Sequence, residues 1–314
     1  MTIVAISGAT GFVGRALLRD LAARSVETVA LIRPGTHLPE AGQSRDLPDL
    51  AELAAGQGAV DFAAIDVFVH CAAIPQSRRG VAAEERARLF AVNATATKVL
   101  ADQAAAAGVK RFILLSSAKV NGESTEDGQA FTASDTPLPF DDYAKSKLQA
   151  EQLLAGVGAS TGMETVVIRP PLVYGAGVKG NFVQLVRLAA RGWPLPLGAI
   201  QNRRSMVAMD NLADLIATAI DHPAATGGTF MVSDGEDLST PDLLTRLAKL
   251  QGARAWLPAV PPALLQTALG LLGRRAIADR LTGSLRVDDQ PTRQTLGWTP
   301  RIDVDEALRR TIAG

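Results

Sequence analysis

The sequence predicts an α/β protein: a doubly wound parallel sheet followed by a smaller C-terminal lobe. Three observations predict it. Short runs rich in Val and Ile alternate with helical patterns through the first half of the chain. A glycine-spaced turn follows the first of these runs directly. Beyond Arg169 the composition changes, with Pro and Gly frequent in "RPPLVYGAGVKGN", "RGWPLPLGA" and "PAVPPALL".

In chain order, "TIVAIS" is read as the first strand and "FVGRALLRDLAAR" as the helix after it. The strands "ETVALI" and "IDVFVHCAA" follow, then a long Ala-rich helix over roughly Glu84 to Ala107. "RFILLSS", a helix carrying Tyr143, and "ETVVIRP" complete the first lobe. Apolar runs too continuous to alternate are buried on both faces, and helices between them imply parallel strands joined by right-handed crossovers. The expected division is residues 1–169, with returning segments near 205–234, and a lobe of residues 170–314. The returning segments are a helix over Asn211 to Asp221 and the strand "GTFMVSD"; further helices are expected near Thr240 to Leu250 and Pro261 to Leu272.

Composition narrows the function classes. Lys plus Arg and Asp plus Glu are equal at 32 each, so no overall field draws the chain to nucleic acid or to an acidic membrane. The single cysteine, Cys71, excludes an internal disulfide, as in a reducing cytoplasm. His37, His70 and His222 lack ligand spacing, so no metal site is expected. The first apolar run begins at Thr2 without a basic leader, and a cytoplasmic protein is expected. "PPALLQTALGLLG", Pro261 to Gly273, is shorter than the ~20 residues a membrane span needs. Packing against the core is the preferred reading, with an amphipathic helix touching lipid as the alternative.

The turn "SGATGFVG" sets Gly8, Gly11 and Gly14 between strand and helix. Such glycines permit a tight turn, close approach to a diphosphate, and close helix–strand packing. The helix N-terminus adds free N–H groups and its positive dipole end. This is a dinucleotide site. The acidic residue that would hold the adenosine ribose of NAD is missing, because Ile32 and Arg33 end the second strand. Arg33 either accepts a 2′-phosphate, favouring NADP, or stacks on adenine or faces solvent. The cofactor is NAD or NADP. In "DDYAKSKLQAE", Tyr143 stands one helical turn before Lys147. The pair is either an acid–base couple or a half-buried aromatic beside a solvated lysine.

The glycine turn, "HCAA", Asn93 in "AVNATAT", "LLSS" and the Tyr143/Lys147 pair together resemble the extended short-chain dehydrogenase/reductases. "SSAKVNGE", "RPPLVYGAGVKGNF", "RRSMVAMDNLAD", "VSDGEDLST" and "LGWTPRIDVDEAL" look more closely like the bacterial nucleotide-sugar 4-epimerase and 4-keto reductase branch, linked to surface polysaccharides. The fold implied is Rossmann-like, with the C-terminal lobe binding substrate. The resemblance implies that Tyr143 exchanges a proton with the sugar and that Ser117 hydrogen-bonds the reacting oxygen. Lys147 would hold the nicotinamide ribose and, with the positive ring, bring the phenol from about 10 toward neutrality.

It further implies that Thr10, Phe12 and Val13 cover the diphosphate, and that Asp46, beside Leu47, contacts adenine. Cys71, Ala72, Ala73 and Pro170 would line the groove, and Cys71 is read as small and buried rather than as a nucleophile. Asn93 is a cofactor contact or a structural tie. Asn181 and Arg204 match positions that hold the diphosphate of a UDP-linked sugar, and Lys119 falls in the sugar pocket. Asn121, Lys119 and Leu172 depart from the family's usual residues near that pocket and leave the sugar's identity open. The implied activity is 4-epimerisation of a UDP-hexose or UDP-N-acetylhexosamine. The alternative is NAD(P)H-dependent reduction of a UDP-4-keto-6-deoxy-hexosamine, and a non-catalytic NAD(P)-binding sensor comes third. The resemblance also implies a homodimer built on the helix before "RFILLSS" and the Tyr143 helix.

Overall fold

The computed structural model describes residues 2–75, 82–271, 273 and 275–314. In chain order the first half runs β1 (Ile3–Ser7), α1 (Phe12–Ala23), β2 (Glu27–Ile32), β3 (Gln43–Asp46), α2 (Leu50–Ala54), β4 (Val67–His70), α3 (Ala83–Phe90), α4 (Ala96–Ala106), β5 (Arg111–Leu115), α5 (Asp142–Thr161) and β6 (Glu164–Arg169). The rest is β7 (Leu172–Tyr174), α6 (Asn181–Ala190), β8 (Met206–Ala208), α7 (Met209–Asp221), β9 (Thr229–Met231), α8 (Thr240–Leu250), α9 (Pro262–Leu271), α10 (Arg275–Thr282), α11 (Gln290–Leu296) and α12 (Val304–Ala313).

Seven strands form one parallel sheet in the order β3-β2-β1-β4-β5-β6-β9. Successive side chains feed opposite faces, as the pleat dictates. Val4, Ile6, Val67, Val69, Ile113, Val166 and Ile168 pack with Leu17, Leu18 and Leu21 of α1 and with Leu212, Leu215 and Ile216 of α7. Ala5, Val29, Leu31, Phe68, Phe112 and Leu114 pack with Leu100 and Ala104 of α4 and with Ala150 and Leu154 of α5. A separate apolar cluster of α6, α8, α9 and α12 fills the C-terminal lobe. The doubly wound fold is as the apolar runs predict, and "GTFMVSD" adds its strand to the main sheet beside β6.

The chain leaves the sheet centre at β1, runs to the β3 edge, and re-enters at β4 on the other side of β1. Strand order reverses between β1 and β4. In open α/β sheets the crevice at the carboxyl ends of such strands is where ligands bind.

Three features differ from the sequence reading. β3 is a strand of four mostly exposed polar residues, with no apolar run to announce it. The Ala-rich helix runs as expected but carries a π-helical turn over Ala91–Thr95 between α3 and α4. α9 buries only Leu265 well and leaves Leu264 and Leu271 in solvent, so core packing accounts for one side of it. Leu272, which the reading placed in that helix, lies outside the described residues.

Candidate active site

Gly8 follows β1 at φ +69°, and a Cβ there would lie 2.7 Å from the backbone nitrogen of Ala72, the residue two beyond β4. The turns after β1 and β4 therefore close on one another at the strand reversal. A Cβ on Gly14 would lie 2.2 Å from the Gly8 carbonyl oxygen, so only glycine lets α1 sit this near β1. Gly11 caps α1 with no side-chain hydrogen bond, and the first turn holds no acidic residue. Thr10 is exposed, and Phe12 and Val13 are half-buried beside this bare helix end. The cradle suits a dinucleotide diphosphate: space that Cβ atoms would fill, and an uncapped helix end to meet its charge.

At the adenosine side, Ile32 of β2 pairs with Asp46 of β3, and the Leu47 amide donates to the Ile32 carbonyl at 2.7 Å. Arg33 and Asp46 thus sit at neighbouring strand ends, both exposed, with Leu47 buried. Arg33 makes no ion pair among the described residues. Cys71 follows β4, and burial pushes its thiol up to about 12, against a nucleophilic role. Ala72 and Ala73 are half-buried alongside it.

Asn93 lies in the π-helical turn and spends its whole amide on the protein. Its Oδ1 accepts from the Ile74 amide at 2.8 Å; its Nδ2 donates to the Ile74 carbonyl at 3.1 Å and to Ser146 Oγ at 3.0 Å. Of the two roles open to it in the sequence, the structure supports the tie: it fixes the segment after β4 to α5.

Asp141 caps α5, its carboxylate accepting from the Ala144 amide at 2.7 Å. Tyr143 is half-buried in its first turn, and Lys147, one turn on, is 1% exposed. The segment after β5 packs on α5, and Ser117, half-buried, lies at its start just beyond the carboxyl end of that strand. Ser117 Oγ accepts from the Lys119 amide at 3.3 Å. Lys119 Nζ reaches Asp141 at 3.0 Å and Glu123 at 3.4 Å, linking this segment to the cap of α5. Pro170 is buried after β6, and its carbonyl accepts from the Ala118 amide at 2.9 Å.

Burial first, and then the Asp141 charge, push the Tyr143 phenol up to about 12. Burial pulls the Lys147 ammonium down to about 8, opposed by Glu151 and Cys71. The expected lowering of Tyr143 is therefore not a property of the protein alone. The low-dielectric site penalises phenolate and ammonium alike, and Asp141 adds to the penalty. At neutral pH the protein holds Tyr143 as the phenol while Lys147 keeps its proton.

On the substrate side, Asn181 is exposed at the start of α6, whose cap Gly180 offers no side chain. Arg204 donates through Nη1 to the carbonyls of Arg280 at 3.3 Å and Gly283 at 3.0 Å. Its Nε and Nη2 have no partner among the described residues. Neither Asn181 nor Arg204 hydrogen-bonds a member of the Ser117, Tyr143, Lys147 set.

Two buried groups beneath the site were not singled out in the sequence. Glu151 accepts from Arg169 at 2.6 and 3.0 Å and from Ser116 Oγ, while Arg169 also donates to Asn121 Oδ1 at 3.0 Å. Asn121, where the family usually has an aromatic, is thus 3% exposed and a member of this network. The other is His70, joined through Nδ1 to Ser7 Oγ at 2.6 Å. Burial holds it neutral, at about 3, and Nε2 is without a partner among the described residues. The only sequence signal for either was a charged or polar residue ending a strand or following a catalytic pair by one turn.

A parallel sheet with its glycine turn at the strand reversal, and Tyr143 one helical turn before Lys147 on α5, define the extended short-chain dehydrogenase/reductase class. Residues 4–233 match the family described as the NAD dependent epimerase/dehydratase family. A UDP-glucose 4-epimerase of Vibrio cholerae is 41% identical over 314 aligned residues, spanning 98% of this chain and 94% of that protein. An N-acetyl-alpha-D-glucosaminyl-diphospho-ditrans,octacis-undecaprenol 4-epimerase of Escherichia coli O157:H7 is 29% identical across 89% of this chain and 81% of its own. The UDP-glucuronic acid 4-epimerase of Bacillus cereus, solved with NAD, superposes with a TM-score of 0.75 over 99% of this chain and 98% of its own; at 19% identity it shares the fold. The chain belongs to the NAD-dependent epimerase/dehydratase family.

Proposed function

We propose that the protein is a 4-epimerase of UDP-linked hexoses or N-acetylhexosamines, serving surface polysaccharide synthesis. The observation that carries this reading is the near full-length identity with the Vibrio cholerae enzyme. Supporting it, Ser117 follows the carboxyl end of β5, and Tyr143 and Lys147 stand one turn apart on α5, which packs on the segment after β5.

Residues that would hold NAD are Gly8, Thr10, Gly11, Phe12, Val13 and Gly14 at the diphosphate, Asp46 and Leu47 at adenine, and Cys71 to Ala73 with Pro170 along the groove. When bound, NAD supplies reversible hydride acceptance from a secondary alcohol carbon. With the positive nicotinamide ring adding to the charge of Lys147, Tyr143 would stand as phenolate and take the C4 hydroxyl proton as the C4 hydrogen leaves as hydride to the cofactor, giving a 4-keto sugar. The sugar turns over, hydride returns to the opposite face of C4, and Tyr143 gives the proton back to the oxygen. Ser117 donates a hydrogen bond to that oxygen throughout. Lys147 orients the ribose and, still charged below about 8, is the protein's own cation favouring phenolate. Arg204, with Nε and Nη2 unspent, and Asn181 hold the UDP diphosphate, where a planar guanidinium fork suits phosphate oxygens; Lys119 contacts the sugar.

Arg33 favours a second reading, a reductase of a UDP-4-keto-6-deoxy-hexosamine using NADPH. It is exposed at the end of β2 and lacks an acidic partner among the described residues, and a guanidinium there would suit a 2′-phosphate. A homodimer through α4 and α5 accompanies either reading, and a one-chain mass by ultracentrifugation would remove it. The deciding test offers the protein UDP-glucose, UDP-galactose and their N-acetyl counterparts with NAD or NADP, following the anomeric protons by NMR. Interconversion without net cofactor reduction supports the epimerase. Inertness toward all four, with NADPH consumed by a 4-keto sugar, would replace it by the reductase.

A further inference from the structure

The chain as a whole is neutral, but its C-terminal lobe is not evenly charged. Residues 175–208 contain Lys179, Arg187, Arg191, Arg203 and Arg204 and no Asp or Glu. Residues 249–278 contain Lys249, Arg254, Arg274 and Arg275 and again no acid. At the chain's average acid content roughly six acids would fall in these two stretches, so their absence is a pattern of charge rather than of local scarcity.

The fold brings the two stretches together. The Leu195 amide donates to the Trp256 carbonyl at 2.9 Å, the Gly198 amide to Pro258 at 3.1 Å, and Gln251 Nε2 to the Val186 carbonyl at 3.1 Å. Leu265 and Leu269 of α9 and Leu281 of α10 join the same apolar cluster as Leu195, Ala255 and Leu257. On the outside, Trp193 is 57% exposed, Trp256 61%, Leu264 61%, Leu271 85% and Ile277 46%. These are five of the eight large apolar side chains left exposed among the described residues. Arg187, Arg191 and Arg254 of the two stretches are exposed, as is Arg280 of α10 beside the exposed Asp279, and none of the four arginines has an ion-pair partner among the described residues. The Arg191 guanidinium lies over the Trp193 ring at 4.7 Å.

Indoles and leucines held in water beside unpaired arginines are the composition of an interfacial surface. The rings and leucines enter the headgroup–acyl boundary, while arginine stems lie along it with their charges on the lipid phosphates. A self-complementary contact between two copies would set these arginines against their own kind, which disfavours it. Among the described residues no helix is long and apolar enough to cross a bilayer, so the contact would lie on the membrane. We propose that this end of the C-terminal lobe docks the protein on anionic bilayer surfaces, with Trp193, Trp256, Leu264 and Leu271 as the apolar contacts and Arg187, Arg191, Arg254 and Arg280 as the electrostatic ones.

The test is co-sedimentation of the full chain with phosphatidylglycerol-containing vesicles and with pure phosphatidylcholine vesicles, at low and high salt. Tryptophan emission reads the same event, since the third tryptophan, Trp298, is 3% exposed and responds little. The expected result is salt-sensitive binding to the anionic vesicles only, with a blue shift of the emission. The R191E/R254E variant should bind at least about twentyfold more weakly. A W193A/W256A variant should also lose binding at every salt concentration; the substituted side chains are all on the surface, and circular dichroism checks that both variants fold. Absence of binding to anionic vesicles would overturn the proposal. So would binding that both variants retain, or a dimer that these substitutions dissociate, which would mean that a second copy covers the face.

Discussion

Arg169 closes on Glu151 through two hydrogen bonds, Nη2 to Oε2 at 2.6 Å and Nε to Oε1 at 3.0 Å, one helical turn beyond Lys147. Both side chains are less than a tenth exposed. The pair ties the end of β6 to the face of α5 that carries the Tyr143/Lys147 couple, and Ser116 and Asn121 extend the tie to the end of β5. Lys147 thereby gains a fixed negative neighbour that partly offsets the burial of its charge.

Breaking this pair from one side leaves an uncompensated buried charge. Arg169→Met should cost about 3 kcal/mol or more of folding stability, measured by urea unfolding. A loss below about 1 kcal/mol would mean that water reaches Glu151 and the network is not closed.

Lys147 carries a stability cost with a defined pH window. Its folded value, about 8, lies below its ordinary 10.5, so between those pH values the unfolded chain binds the extra proton and stability rises with pH. Below about 8 the full cost of the buried ammonium is present, on the order of 3 kcal/mol. Lys147→Met should therefore be inactive yet more stable than the parent at pH 7, with the advantage shrinking by pH 10. Thermal unfolding of both proteins at the two pH values reads this; a constant difference would refute the buried charge.

The two tyrosines should separate cleanly. Tyr143→Phe removes the proton carrier and should lower kcat by 10²- to 10⁴-fold with little change in melting temperature. Tyr174 is buried in the C-terminal lobe, donating to Asp234 at 2.8 Å. Tyr174→Phe should cost about 1–3 kcal/mol of stability and leave kcat near that of the parent. Reversal of the two phenotypes would exchange their roles.

Arg33 sets cofactor choice if it meets a 2′-phosphate. Arg33→Asp should then raise the ratio of NADP to NAD dissociation constants at least about tenfold, by calorimetry. An unchanged ratio would make Arg33 a solvent-facing residue and remove the main support for the reductase.

Most of the sheet could be read from the chain because fully buried parallel strands must be continuous apolar runs, and "TIVAIS", "VFVH" and "RFILL" are. β3 escaped because Gln43–Asp46 is an edge strand of exposed polar residues, held by backbone pairing to β2. The π-helical turn at Asn93 escaped because inserting a residue leaves the composition of an Ala-rich helix unchanged. The glycine turn and the Tyr143–Lys147 spacing were visible because each is local in sequence. The Glu151–Arg169 pair joins positions 18 residues apart on different elements, and no local pattern encodes it. The upward push on the Tyr143 phenol in the protein alone was not legible for a related reason: the neighbouring charge is written in the sequence, whereas burial is a property of the assembled fold.

The central claim is that C4 inverts by loss and return of its own hydrogen, with Tyr143 handling only the hydroxyl proton. The most direct measurement supplies UDP-glucose carrying deuterium at C4 and examines the product by NMR and mass spectrometry. Return of the same hydrogen gives UDP-galactose that retains the deuterium at C4, with no net reduction of NAD. Product that has exchanged its C4 deuterium for solvent hydrogen, or stoichiometric accumulation of reduced cofactor, would contradict it.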